Sequence, residues 1–378
     1  MRKTASPRRD PTLGVLHSGF ALTGVFQAIG GALLPSLAAA FHLNDSQSGA
    51  LFLFYFAGTS VGALLCVGRY ARMMAVGFLL AALACAGIAA AGAAALQPLF
   101  LFLGIGVGVP MSAVSMFAGA RYGERSAAPL TLLNFTWSSG ALIGPLLAAR
   151  LLVSHSYRAA YLLLGGCALL LAVACFALLQ EPPLISLKPR ARLDRVGWIA
   201  LFAFLTFLEV GIENTTATWL ATFSLRTAAH GAAAAAAASS LYWVGFLASR
   251  GFSSLLLLRA HPLHVLRTAV VVALASAALL VGLSGAHARD AAMLVLGAAL
   301  GPVFPLLLAR FFARAPSAAD SRWVLAVCGF GGSVLPWATG ALSTHAHSLR
   351  LGLAVVPCAL LLMACTMPAL GGRARAAE

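Results

Sequence analysis

The sequence predicts an all-α integral membrane protein with twelve transmembrane helices. They are expected to form two six-helix bundles related by a pseudo-two-fold axis along the membrane normal. Three observations lead to this fold class: an apolar composition, twelve long apolar runs and a weak internal repeat. Of the 378 residues, 61% are hydrophobic and only 9% are charged. Soluble domains carry about 25% charged residues, so this chain is typical of a protein embedded in a lipid bilayer.

Each of the twelve apolar runs is long enough to cross a membrane as a helix, which takes about 20 residues. Apolar residues show no period of two, and helices satisfy their own backbone hydrogen bonds in hydrocarbon, so helices are expected rather than barrel strands. Short connections rich in Arg, His, Pro or Asp separate the runs. The runs cover residues 12–40, 47–68, 73–96, 98–120, 127–151, 158–180, 196–224, 233–258, 263–286, 291–313, 322–344 and 350–370.

The distribution of Lys and Arg predicts the orientation of the helices. Nineteen of the 25 basic residues lie in the tails and connections on one side, five lie on the other, and Arg250 lies inside a run. Basic residues favour the cytoplasmic side, so both termini are expected in the cytoplasm of a multi-pass protein of the plasma (inner) membrane. The net charge of +15 is therefore a topology signal, and nucleic-acid binding is not expected.

An internal repeat divides the chain near its midpoint. Tyr55 in "LFYFAG" aligns with Tyr242 in "LYWVGF" at an offset of 187, and Pro145 aligns with Pro336 at an offset of 191. Repeats of six spans run parallel and are related by an axis along the membrane normal. The predicted segments are an N-terminal tail (1–11), an N-terminal bundle (12–180), a basic cytoplasmic linker (181–195), a C-terminal bundle (196–370) and a C-terminal tail (371–378).

The seventh run contains the stretch "LTFLEVGIENTTATWLATF" (205–223), which carries the only acidic residues inside a run, Glu209 and Glu213. A carboxylate at the bilayer centre costs at least about 2.5 kcal/mol. Residues three and four apart share a helix face, so both carboxylates should form a polar stripe with Thr206 and Thr216 toward a wet cavity. Two neighbouring carboxylates in a low dielectric do not both ionise easily, which makes them candidate proton carriers.

Arg250 is the only cation inside a run. Counted from the cytoplasmic helix ends, it lies about 8 Å along the membrane normal from Glu209, at about 1.5 Å per residue. A charge pair between Arg250 and Glu209 is therefore expected, either permanent or made in one conformation and loosened in another. In the structural alternative, one carboxylate pairs with Arg250 and the other is hydrogen-bonded within the bundle.

Other polar and aromatic residues inside the runs suit a small polar solute. Amides can bind hydroxyl groups, and aromatic rings can stack on the C–H face of a sugar. A Trp near a span end is also a common interfacial anchor, and an Asn commonly bonds a neighbouring helix. The candidate substrate-binding residues are Gln27, Tyr55, Asn134, Trp137, Glu213, Asn214 and Trp219. The candidate ion-coupling or gating residues are Glu209, Glu213 and Arg250.

Twelve spans as six plus six, with a basic central connection, resemble the major facilitator superfamily. Four motifs resemble its fucose–proton symporter branch of sugar permeases. The resemblance implies transport of a sugar or similar solute by alternating access, driven by H⁺ or Na⁺ or merely facilitated, and it places Gln27 where the branch has a substrate-facing amide. The motifs are "LTGVFQAIGGALLPSLAAAFHLNDSQSG" (22–49), "EVGIENTTATWL" (209–220), "YWVGFLASR" (242–250) and "GPVFPLLLA" (301–309).

The chain departs from that branch where the coupling proton binds. The resemblance puts Gly31 in place of an acidic residue of the first helix, and the fourth run (98–120) lacks the carboxylate expected there. The superfamily that the chain resembles also has a cytoplasmic signature, G-x-x-x-D-R-x-G-R, after the second helix. This chain has Cys66 at the Asp position of that signature. If a carboxylate couples transport to an ion, Glu209 and Glu213 are the only candidates inside a run.

Two alternatives stay open. The stretch "SSGALIGPLLAA" (138–149) partly resembles the fifth helix of proton-driven efflux antiporters for drugs or metabolites, with Ala148 and Ala149 replacing glycines. A membrane sensor or scaffold without transport activity is the other alternative. No catalytic set or metal-ligand spacing stands out, so no enzyme activity, cofactor or metal is expected. We expect a monomer, because one chain contains both halves of the pathway.

Overall fold

The computed structural model describes residues 11–122, 127–181, 196–228, 231–313 and 318–370, and every regular element within these ranges is helical. Twelve spans in the described ranges are long and apolar enough to cross a membrane, which confirms the predicted fold class. Most of the predicted N-terminal tail, residues 182–195 of the predicted linker and the C-terminal tail lie outside the described residues.

The first nine spans are the helices α1 to α9, and α4 is preceded by a short 3₁₀ turn (Ala93–Ala95). The tenth span consists of α10 and α11, the eleventh is α12, and the twelfth consists of α13, α14 and a 3₁₀ turn (Met367–Leu370). The helices are α1 (Pro11–Phe41), α2 (Asp45–Leu65), α3 (Tyr70–Ala90), α4 (Leu96–Tyr122), α5 (Ala127–Ser154), α6 (Tyr157–Leu178), α7 (Val196–Ala228), α8 (Gly231–Leu256), α9 (Pro262–Gly282), α10 (Ala286–Leu300), α11 (Val303–Phe312), α12 (Ala318–Ala346), α13 (Leu349–Leu353) and α14 (Val355–Thr366).

A proline lies at or near each of the two breaks within the spans. A proline lacks the N–H that would bond to the carbonyl oxygen four residues earlier, and its ring crowds that carbonyl group. Pro302 and Pro305 interrupt the tenth span, and Pro357 follows the break at Ala354 in the twelfth. Because Pro305 has no N–H, the carbonyl oxygen of Gly301 lacks its usual helical donor and is available to another group.

The helix packing shows the internal repeat. In the N-half (α1–α6), α2 packs closely on α4 through Gly58 and Gly104, and in the C-half (α7–α14), α8 packs on α10 through Gly245 and Gly297. A Cβ atom on any of these four glycines would overlap a carbonyl oxygen of the neighbouring helix. Glycine at membrane-helix contacts allows such close approach. The contact between α1 and α5 likewise corresponds to the contact between α7 and α12.

The two halves meet mainly along three helix pairs, α1 with α7, α2 with α12, and α5 with α8, and α1 also touches α8. Successive spans run in opposite directions. We therefore call the side at which α1, α5, α7 and α12 begin the first face, and the opposite side the second face. The three contacts between the halves leave a space between them, which contains the candidate site.

Candidate functional site

A cavity of about 290 Å³ lies between the N-half and the C-half, from mid-depth toward the first face. Its volume is near the lower limit of small-molecule sites, which span about 300–1,000 Å³. The wall combines apolar and aromatic side chains with a few amide, hydroxyl and charged groups, as such sites usually do. The lining residues that the sequence predicted are Gln27, Asn134, Trp137, Glu213, Asn214 and Arg250.

Gln27 and Asn214 connect the two halves at mid-depth. The Nε2 of Gln27 on α1 donates a hydrogen bond to the Oδ1 of Asn214 on α7, over 2.5 Å. The two residues are 187 positions apart, which is the offset between Tyr55 and Tyr242, so they are equivalent in the repeat. Equivalent residues can touch only close to the axis that relates the halves. This bond therefore marks that axis at the cavity wall.

The two carboxylates of α7 have different environments although they lie one turn apart. Glu213 lines the cavity, whereas Glu209 is completely buried and neither of its oxygens has a hydrogen-bond partner among the described residues. Thr206 and Thr216 are buried too, and their hydroxyls donate to carbonyl oxygens of α7 itself. Of the predicted polar stripe, only Glu213 reaches the cavity.

Arg250 on α8 is held by neutral groups from both halves. Its Nε donates to the carbonyl oxygen of Gly301 over 3.2 Å, and its Nη1 donates to the Oγ of Ser138 on α5 over 3.0 Å. Its guanidinium carbon lies 4.3 Å from the ring centroid of Phe246 and 5.5 Å from that of Trp137. The acceptor at Gly301 is the carbonyl that Pro305 leaves without a helical donor.

The expected charge pair between Arg250 and Glu209 is not formed in this conformation. Among the described residues, no carboxylate oxygen lies within 4.0 Å of an Arg250 nitrogen. Both carboxylates are nevertheless close enough for their charges to attract the guanidinium. Tyr242 shares this environment, and its fully buried hydroxyl has no partner in the described ranges.

The aromatic residues that the sequence singled out are divided between the cavity and the protein interior. Trp137 lines the cavity and packs edge-to-face on Trp243, with ring centroids 6.2 Å apart. Tyr55 and Trp219 lie outside the cavity wall. Tyr55 is buried among aromatic rings of the N-half. Trp219 is completely buried, and its Nε1 donates to the carbonyl oxygen of Pro336 over 2.9 Å.

Gly31, which stands where the resemblance expects an acidic residue, lies against the backbone of α7. A Cβ atom at this position would overlap the carbonyl oxygen of Ala217. Any side chain at Gly31 would therefore force α1 and α7 apart. Gly211, between the two carboxylates, likewise permits the close approach of α12 at Gly331, and α7 remains helical there.

Polar contacts join the two halves at the second face. Arg226, near the end of α7, donates from Nη1 and Nη2 to the two carboxylate oxygens of Asp45 at the start of α2, over 2.7 and 2.5 Å. Ser343 on α12 donates to the same carboxylate, and the backbone N–H of Ser46 donates to the Oγ1 of Thr344. These contacts, which we call the Asp45–Arg226 latch, join three helices of the two halves.

Some parts of the site were not anticipated from the sequence. They include the cavity-lining Phe20 and Phe56, the contact of Arg250 with Ser138 and the latch. The sequence did carry a signal for the hydrogen bond between Gln27 and Asn214, because the repeat offset of 187 maps Gln27 onto Asn214. In the part of the chain that the structure describes, no group of three His, Cys, Asp or Glu side chains is arranged to hold a metal ion.

Twelve membrane-length helices that enclose a solute-sized cavity between two similar halves define a membrane transporter. The sequence matches the model of the Major Facilitator Superfamily over residues 16–322. The chain belongs to this superfamily. No curated protein shows significant sequence similarity to it.

Solved transporter structures share the fold over nearly the whole chain. A bacterial homologue of the human lysosomal transporter Spinster, inward-facing and occupied, has a TM-score of 0.77 at 13% identity, with 97% of both chains covered. A mutant of the nucleoside transporter NupG has a TM-score of 0.78 at 14% identity, with 95% of this chain and 99% of that chain covered. FucP in the outward conformation has a TM-score of 0.65 at 20% identity, with 95% of this chain and 98% of that chain covered. The E. coli FucP is a fucose:proton symporter.

Proposed function

We propose that the chain is a secondary transporter that moves a sugar or similar small polar solute through the central cavity by alternating access. The observation that carries this proposal is the cavity, which both halves line and which ends in the amide pair Gln27–Asn214 at mid-depth. Amides bind hydroxyl groups, and the aromatic wall suits the C–H faces of a sugar. The small volume favours such a solute over a bulky drug.

In this proposal the described conformation is inward-facing. The excess of Lys and Arg assigns the first face to the cytoplasm. The cavity lies toward that face, and the latch closes the other. The fold also superposes better on the inward-facing Spinster homologue than on outward FucP, although FucP is more similar in sequence.

Coupling to an ion runs through Glu213, the carboxylate that the cavity reaches. Two neighbouring carboxylates in a low dielectric repel each other when both are charged, and a bound proton relieves this repulsion. This supports H⁺ over Na⁺ as the coupling ion. Glu209, buried one turn away, acts on Glu213 through its charge state. Neither Gly31 nor the described part of α4 offers another carboxylate.

Uptake into proteoliposomes tests the proposal, after a thermal-shift screen against sugars, organic acids and cationic drugs with and without Na⁺. For a solute that binds, Glu213→Gln should abolish uphill uptake driven by a pH gradient, while solute exchange persists. Asp290→Asn, which changes an acidic residue of α10 outside this cavity, is the matched control. Unchanged uphill uptake by Glu213→Gln would reject coupling through this residue. Stabilisation by drugs alone would reject a polar solute.

A further inference from the structure

Arg250 is the only cation that lines the cavity within the described residues, and it has no carboxylate within ion-pair distance. Charged side chains inside a protein are usually paired, because an uncompensated charge away from water is costly. The positive charge of Arg250 therefore faces a solute-sized space without a direct counter-ion. This arrangement suits a site for an anionic group.

The contacts of Arg250 fix its guanidinium without neutralising it. The carbonyl oxygen of Gly301 and the hydroxyl of Ser138 are neutral acceptors, and the rings of Phe246 and Trp137 attract the cation through their π faces. These contacts leave Nη2 with no hydrogen-bond partner among the described residues. A planar guanidinium whose Nη2 is unused is well suited to a carboxylate, which accepts parallel hydrogen bonds from Arg.

The remainder of the wall indicates what else the solute carries. Gln27, Asn134 and Asn214 present amides, and Phe20 and Trp137 present rings. A cavity of about 290 Å³ limits the solute to a small molecule. Hydroxyl groups for the amides, a C–H face for the rings and one anionic group for Arg250 describe a sugar acid or a short hydroxy acid.

The other titratable groups around Arg250 determine how much negative charge the site tolerates. They are Glu209 and Glu213 on α7, Tyr242 on α8 itself and Cys328 on α12; the cavity wall from α1, α2, α4, α5 and α11 adds none within the described residues. An anion at Arg250 would be repelled by an ionised Glu213. Binding of one anion is therefore favoured together with a proton, and a dianion would be under-compensated by a single Arg.

We propose that this cavity is selective for a small hydroxylated monocarboxylate, whose carboxylate binds Arg250 while a proton accompanies it at Glu213. The inference rests on the proposed transport function and deepens it, because it replaces a neutral sugar by a sugar acid or hydroxy acid. The feature that favours these solutes over neutral sugars is Arg250, a single cation beside two carboxyl groups that has no carboxylate within ion-pair distance among the described residues.

A matched trio of ligands tests the selectivity: glucuronate, glucose and glucose 6-phosphate differ mainly in the group at one carbon. Gluconate, glycerate and lactate, each with its neutral alcohol, widen the panel. Binding is measured on the purified full chain by thermal shift and calorimetry at pH 6 and pH 8. At least one monocarboxylate should bind at least ten-fold more tightly than its neutral counterpart. It should bind more tightly at pH 6, because binding takes up a proton.

Variants then separate recognition from stability. Arg250→Gln should weaken carboxylate binding about 10- to 100-fold, as expected for a lost charge-assisted hydrogen bond. Arg250→Lys, which keeps the charge but not the planar group, should show a smaller loss and covers the case in which the Gln variant unfolds. Arg289→Gln, which changes a buried arginine of α10 outside this cavity, should bind normally. Glu213→Gln should remove the pH dependence of binding.

The outcomes distinguish the two proposals. If neutral sugars bind and enter proteoliposomes while carboxylates do not, or if Arg250→Gln binds the carboxylate normally, the anion proposal is overturned and transport stands. Tighter binding of glucose 6-phosphate than of any carboxylate would overturn the assignment to a monocarboxylate. If no member of the panel binds and only cationic drugs do, both proposals fail.

Discussion

At the scale of single residues, Glu209 is an acidic side chain that is fully buried without forming a hydrogen bond to any described residue. It lies inside the hydrocarbon-spanning part of α7 with no access to solvent and no hydrogen-bond partner in the described ranges. Arg250, its expected partner, is held instead by Ser138, Gly301 and two aromatic rings. Removing one member of a buried ion pair costs about 3–5 kcal/mol, whereas an unpaired buried group has no such partner to lose.

Glu209→Gln should therefore leave the melting temperature of the purified protein nearly unchanged, and Glu209→Leu should leave it unchanged or raise it. Both replacements avoid placing an unpaired charge at this position. Thermal unfolding in detergent, followed by intrinsic tryptophan fluorescence, measures the effect. A loss that corresponds to about 3 kcal/mol or more in both variants would show that Glu209 is a permanent structural partner of Arg250.

At the scale of helices, glycine decides how α1 and α7 approach each other. Gly30 and Gly31 are neighbours on α1, but they meet different surroundings. A Cβ atom on Gly31 would collide with the backbone of α7, whereas one on Gly30 would meet the ring of Phe52 at 3.2 Å. Backbone cannot move aside as easily as a side chain.

Gly31→Ala should therefore destabilise the protein by about 1–3 kcal/mol, the usual cost of overpacking. Gly30→Ala is the matched control, because the gain in helix propensity is the same for both substitutions. Melting temperatures of the two variants, measured side by side, should be clearly lower for Gly31→Ala. Equal melting temperatures would show that α1 and α7 separate at little cost, and would make an acidic residue at this position structurally tolerable.

The apolar runs predicted the helices well, because about 20 apolar residues without charge have few other stable conformations in a bilayer. They did not predict how each helix is rotated. Trp137 and Trp219 both looked like solute contacts, yet only Trp137 reaches the cavity, because the glycine contacts of each helix set which face turns inward. Likewise, the spacing along two helices predicted an axial distance between Glu209 and Arg250. It did not predict that Arg250 donates instead to the carbonyl oxygen of Gly301, which Pro305 leaves without a helical donor.

At the scale of the whole molecule, the latch and the cavity lie at opposite ends of the interface between the halves. Asp45 is largely buried, with 11% of its side chain exposed, whereas 47% of the Arg226 side chain is exposed. Exposed ion pairs contribute about 0.2–1 kcal/mol. Such a contact can bias the balance between two conformations without locking it.

Arg226→Gln should shift the protein away from the described conformation, by about two- to five-fold in population. Cys328, which lines the cavity, reports the shift when the other cysteines are replaced. Labelling of Cys328 by an impermeant maleimide added at the first face should become slower. Arg350→Gln is the control, because Arg350 also lies near the second face but its hydrogen bond among the described residues goes to the backbone carbonyl oxygen of Gly282. Equal labelling rates in Arg226→Gln and the parent protein would show that the latch does not hold this state.

The hydrogen bond between Gln27 and Asn214 has a mechanical consequence. When two bodies rock against each other, points at the pivot stay still, and displacement grows with distance from it. This amide pair lies near the middle of α1 and α7 and close to the repeat axis, whereas Asp45 and Arg226 lie at the rim. A small rotation that separates the rim can leave the central pair intact. In the proposed transport cycle this pair is the pivot between the halves, so a solute bound beside Gln27 and Asn214 keeps the same two amides as neighbours whichever side of the membrane it leaves by.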